Sequence, residues 1–168
     1  MSDPVLRLLF DECIGKPVMR QLVPLVSPNL EVHHLVDKFA QGEKDEDWIP
    51  RLGMEAGWVL ITSDAGIYSK SGQKLPDLCA EHKVTHIILS GKLHKKTTAE
   101  KIVWIAAAWP FVEEVFSKPP GSRFRMRLKT LKGKNGLTIV VEPVPIKTMI
   151  EKQHEKLARR AGRRKKPD

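Results

Sequence analysis

Three short apolar runs constrain the fold more than any other feature of the chain: Val5–Phe10 (VLRLLF), Trp58–Thr62 (WVLIT) and Thr85–Leu89 (THIIL). Apart from Arg7 and His86 they carry no ionisable side chain. They are far shorter than the roughly 20 residues a membrane helix needs. They also lack the polar–apolar alternation of a strand with one wet face. Continuous runs of this length suit strands buried on both faces, as in a parallel sheet covered by helices.

The intervening segments read accordingly. Gly15-Lys16-Pro17 opens a helix through about Leu25, with proline in its first turn. Glu31–Val36 (EVHHLV) is predicted as the second strand. A helix is predicted from Trp48 to Ala56, stopped by Gly57, and a shorter one near Leu75–His82. Thr97–Ser117 reads as one long helix, started by the TTAE capping signature and bent at Pro110. The repeated strand–helix order predicts an α/β fold with a mostly parallel central sheet. Beyond it, Arg123–Lys129 (RFRMRLK) and Leu137–Val141 (LTIVV), joined by Asn135-Gly136, predict a β-hairpin. A helix over Lys147–Ala161 and a basic tail complete the chain. The expected division is thus a core domain over 1–120 and a hairpin, helix and flexible tail over 121–168.

The positions of the acids matter most for function. Asp11-Glu12 follow the first strand directly, and Asp64 follows the third after a single serine. In parallel α/β sheets these carboxyl ends share one edge, where ligands gather. The segment Glu43-Lys44-Asp45-Glu46-Asp47 precedes a helix and is expected on the same edge. Two carboxylates about 4 Å apart repel by roughly 4 kcal/mol at an effective dielectric near 20. Either some of them protonate or a cation neutralises them, and an all-oxygen set without Cys or His partners selects a hard ion such as Mg²⁺ or Mn²⁺. Asp11, Glu12, Asp45, Asp47 and Asp64 are therefore the candidate ligands. Pro50 bears on the choice within the KDED segment. With Asp47 as helix cap, Pro50 falls at the third helical position, where its missing N–H costs little. That leaves Asp45 freer to face the ion.

FDE after the first strand, KDEDWI before a helix and GWVLITSD at the third strand together resemble the PIN-like fold, and in particular the VapC group of toxins from bacterial toxin–antitoxin pairs. The resemblance covers roughly residues 5–116. It implies a three-layer α/β/α arrangement and metal-dependent hydrolysis of RNA, with metal-binding, catalytic roles on Asp11, on Asp45 or Asp47, and on Asp64. It also implies a cognate antitoxin that blocks the site. One departure is that Asp64 is followed by Ala65-Gly66-Ile67, where related domains often have a further acid.

The charge distribution points the same way. The net charge is +9, yet residues 1–90 hold nine Lys/Arg against thirteen Asp/Glu (−4) and residues 91–168 twenty against seven (+13). On the alternating strand Arg123, Arg125, Arg127 and Lys129 share one face, and Arg159, Arg160, Arg163 and Arg164 form a second cluster with Lys165 and Lys166. Both are candidate RNA-backbone contacts; the plainer reading is a solvated strand face and a solubilising tail. The partners expected are RNA and an antitoxin, with a homodimer left open and no membrane. No basic leader with an apolar core opens the chain, and Cys13 and Cys79 read as reduced, buried thiols, so the expected location is cytoplasmic.

Two other readings remain. A phosphoacceptor receiver also places acids after its first and third strands, but it wants a lysine after a fifth parallel strand, where this sequence reads as helix. A PIN-like module that binds RNA or a partner without cutting differs only in catalytic competence. A haloacid-dehalogenase-type phosphatase needs an Asp at position 13, which is Cys.

Overall fold

Each apolar run forms a strand of a single six-stranded sheet, in the order β2-β1-β3-β4-β5-β6. The computed structural model describes residues 6–26, 30–64, 74–131 and 136–145. β1 (Leu6–Phe10), β2 (Leu30–His34), β3 (Trp58–Thr62), β4 (Thr85–Leu89) and β5 (Arg123–Thr130) run parallel; β6 (Leu137–Pro143) returns antiparallel to β5. β3 and β4 are buried at every position. Their side chains alternate between two helical layers, so both faces are mostly apolar, with Thr62, Thr85 and His86 the polar residues buried among them.

One layer packs α1 (Lys16–Val26), α5 (Thr98–Ala107) and α6 (Trp109–Phe116) on Leu8, Phe10, Val59, Ile61, Ile87, Leu89, Phe124 and Met126. The other packs α3 (Asp45–Gly53) and α4 (Leu75–Glu81) on Leu9, Trp58 and Leu60. Each fully buried Leu, Ile or Phe contributes on the order of 1.5–3 kcal/mol, so the sheet supplies most of the driving force. The expected α/β/α fold with a mostly parallel sheet is the fold observed. The boundary expected at residue 120 falls between α6 and a strand that pairs with β4, so the hairpin continues the same sheet.

Several boundaries differ from the sequence reading. β2 ends at His34, and Leu35–Lys38 forms a single helical turn, α2, in place of further strand. The long helix is broken, not bent: Ala108 ends α5, and Pro110 sits in the first turn of α6, where it lacks no bond. α3 begins at Asp45, three residues earlier than expected, with Lys44 as N-cap and no capping side chain. Asp47 is therefore not the cap, and Pro50 lies inside the helix. α3 ends at Gly53, and Gly57, at φ +87°, turns the chain into β3 instead of stopping the helix.

Gly53 has a separate reason to be glycine. A Cβ there would run into the carbonyl oxygen of His82, at the end of α4. The two helices of this layer thus meet backbone to backbone. Residues 147–161 and the basic tail, including Arg159, Arg160, Arg163 and Arg164, lie outside the described residues. Among the described residues no helix is long and apolar enough to cross a membrane.

Candidate active site

The chain leaving β1 and the chain leaving β3 are stitched together at the carboxyl edge. The Asp11 N–H donates to Ile61 O at 3.0 Å, extending the β1–β3 ladder to the acid itself. Asp11 then caps a short 3₁₀ turn, Glu12–Ile14, with Oδ1 accepting from the Glu12 N–H at 2.7 Å. Its second oxygen, Oδ2, accepts from Thr62 Oγ1 at 2.6 Å and from Cys13 Sγ at 2.9 Å. Thr62 is fully buried, and its hydroxyl also accepts from the Asp64 N–H at 2.9 Å. One hydroxyl therefore orients the first carboxylate and fixes the backbone of the other.

Asp45 reaches the same region from α3. Trp48 Nε1–H donates to Asp45 Oδ1 at 3.2 Å and so holds the half-buried carboxylate from the helix side. Its pKa lies above the usual Asp range, first because burial disfavours the charge and then because the charges of Asp11 and Asp64 act on it; only the Trp48 bond opposes the shift among these causes. Three carboxylates from three chain segments thus share one field.

The remaining candidates are placed differently. Asp47 is exposed and stands two residues from Asp45, about 200° around a helix of 3.6 residues per turn, so the two cannot face the same ligand. Glu12 is exposed and accepts from the Gly42 N–H at 3.4 Å. Glu43 is paired with Arg51. On β5, Arg125 and Lys129 are exposed, whereas the fork of Arg127 is held by Glu142 at 2.6 and 3.2 Å. Arg123 is half-buried, and among the described residues its Nε has no hydrogen-bond partner.

Cys13 and Thr62 are the residues sequence reasoning missed. Cys13 was expected in the core, but the residue is exposed and only its sulfur turns inward. The thiol accepts from the Ser63 N–H at 3.1 Å, and its burial and then the Asp11 charge push its pKa up. Asp11 needs short side chains near it that can donate a hydrogen bond. The signal was a threonine closing a fully apolar strand, two residues before an acid, and a cysteine two residues after one. Both cysteines are free, as expected, and Cys79 is buried.

The donor set suits a hard divalent ion in kind: carboxylate oxygens, one of them half-buried and destabilised by its neighbours. Among the described residues, however, no group of three or more His, Cys, Asp or Glu side chains is spaced to hold one ion. Mg²⁺ needs no such cage, since it is usually held by one or two carboxylates, waters and substrate phosphate. Asp11, Asp45 and Asp64 are residues that could supply such carboxylates.

No curated protein and no solved structure matches the chain. A family model described as a PIN like domain matches residues 6–91, about half of the sequence, and spans β1 to the end of β4 with all five candidate acids. PIN domains are generally nucleases and generally use divalent metals such as Mg²⁺. With this match added to the parallel sheet and the acids at its carboxyl edge, the chain belongs to the PIN-like domain family.

Proposed function

We propose that this protein is a metal-dependent ribonuclease that hydrolyses RNA phosphodiester bonds at the edge formed by Asp11, Asp45 and Asp64. The observation that carries this reading is the Asp45 carboxyl group, half-buried from α3, with burial and the charges of Asp11 and Asp64 acting against its ionised form. A fold keeps such an arrangement when binding a cation repays it. Bound there, Mg²⁺ or Mn²⁺ supplies Lewis-acid stabilisation of the phosphate and a more acidic water.

The protein's own residues do the positioning. Thr62 and Cys13 fix the orientation of Asp11, Trp48 fixes Asp45, and the Thr62–Asp64 bond sets the direction in which the chain leaves β3. Arg125 and Lys129 extend a positive face along β5 toward the same edge, as candidate contacts to the RNA backbone. The likeness of FDE, KDEDWI and GWVLITSD to the VapC group supports a further role as the toxin of a toxin–antitoxin pair, with an antitoxin covering this edge.

Purified protein is tested on labelled RNA with Mg²⁺, Mn²⁺ or EDTA, beside Asp11→Asn and Asp64→Asn. Cleavage that needs the ion and both acids supports the reading. No cleavage with either ion, while RNA is still bound, supports the non-cutting module instead; the feature that favours that second reading is Ala65-Gly66-Ile67 after Asp64, where related domains often have a further acid. Growth arrest on expression, abolished by either substitution, tests the toxin role.

A further inference from the structure

The family match ends at Gly91, immediately before a basic turn on the catalytic edge, Lys92-Leu93-His94-Lys95-Lys96. This turn joins β4 to α5. Thr62 pairs in register with Ile88, so the chain leaves β4 beside the chain that leaves β3 toward Asp64. The two exits are about one strand spacing, roughly 5 Å, apart.

Packing fixes how the turn is presented. Leu93 is fully buried in the core cluster that includes Ile102, Ile105 and Leu89. Ser90 N–H extends the β4–β5 pairing by donating to Met126 O at 3.0 Å, and Lys96 N–H closes the turn onto Leu93 O at 3.2 Å. A buried centre with pinned ends turns its neighbours outward, and Lys92 and Lys95 are exposed. Among the described residues neither has an ion-pair or hydrogen-bond partner. Lys96 differs, being paired with Glu100 at 2.7 Å. The N-terminus of α5 is also closed to anions, because Glu100 Oε2 accepts from the Thr97 N–H at 3.0 Å in a complete capping box. Arg127, one strand further on, is engaged by Glu142. This turn therefore carries unengaged positive charge on the same edge as the acids, one strand over from the exit toward Asp64; Lys44, exposed and next to Asp45, is a further such charge.

We infer that the β4–α5 turn is the substrate-holding arm of the site: Lys92 and Lys95 bind the RNA phosphates that flank the one being cleaved. The inference rests on the nuclease reading and adds to it the residues that hold the strand in place. Lysine serves here as a point charge for phosphate, without base recognition, so the contact is independent of sequence. Its location also has an electrostatic purpose. The carboxylates repel a polyanion, and positive charge one strand away offsets that repulsion without neutralising the acids themselves.

The test compares Lys92→Gln/Lys95→Gln with Lys83→Gln/Lys118→Gln. The second pair removes the same charge from exposed positions before β4 and β5, at the opposite edge of the sheet. Binding of a fluorescein-labelled single-stranded RNA is followed by anisotropy in EDTA across a salt series, and turnover is followed in Mg²⁺. In the first variant the slope of log K against log salt shrinks by about 1.4, for two single-strand phosphate contacts, and KM rises roughly tenfold. Its kcat stays within about twofold of wild type, because the arm does not touch the reacting atoms. The opposite-edge variant keeps the wild-type slope and KM. Equal effects in both variants, or none in the first, overturn the inference while leaving the nuclease reading intact. A wild-type protein that neither binds nor cuts the RNA removes that reading and the arm with it.

Discussion

Replacing Thr62 with valine tests the geometry of the site most directly. The substitution is nearly isosteric, so it opens no cavity in a fully buried position. It removes a donor to the Asp11 carboxylate and an acceptor for the Asp64 N–H. A hydrogen bond to a charged group contributes about 1.5–3 kcal/mol, and a neutral one about 1 kcal/mol. The expected loss is therefore about 3 kcal/mol. For a protein of this size that lowers Tm by about 6–12 °C. Thr62→Ser keeps both bonds and loses only a methyl group, about 1 kcal/mol. Melting in EDTA should rank wild type above Thr62→Ser above Thr62→Val. Mn²⁺ titration by calorimetry should show weaker binding for valine than for serine, since only valine leaves Asp11 free to turn. A Thr62→Val protein that melts within about 1 °C of wild type would refute the reasoning.

Asp45→Asn keeps an acceptor for Trp48 and removes a charge that the fold holds at a cost, so the metal-free protein should melt a few degrees higher at neutral pH; the same variant should gain less from added Mn²⁺, read in the same melts. Gly53→Ala forces a Cβ against the carbonyl of His82 and should cost about 1–3 kcal/mol in urea unfolding at pH 7. His86 is buried, neither ring nitrogen has a hydrogen-bond partner among the described residues, and burial, aided by the Arg123 charge, lowers its pKa to about 3. The unfolded chain protonates this ring from about pH 6.5 downward while the native one does not, so wild-type stability should fall with pH over that window, by at most about 1.4 kcal/mol per pH unit from this group. His86→Leu should be at least as stable at pH 7 and lose less between pH 6.5 and 4, as measured by urea unfolding at each pH.

The strands and the acids at their ends were legible because burial leaves a strong mark on short segments. A run such as WVLIT admits few conformations other than a strand covered on both sides, and the residue after it must lie at the edge. Helix starts left a weaker mark. α3 begins after Lys44, a residue without a capping group, and contains Pro50, so both local signals pointed to a later start. Packing of Trp48, Ile49 and Leu52 into the core outweighs the lost backbone bond. The roles of Thr62 and Cys13 were hidden because they depend on two strands brought side by side, which no local pattern records. Likewise, alternation put four positive charges on one face of β5, but only the register with β6 shows Glu142 taking one of them.

The contact at Gly53 has a consequence for anyone rebuilding this edge. Asp45 does not ride on the sheet, as Asp11 and Asp64 do; it is delivered by α3, whose height above the sheet is set where its last residue meets the end of α4. Transplanting α3 alone onto a related scaffold would carry the carboxylate but not the spacer that sets its reach. The two helices form one replaceable part, and a graft should move both together.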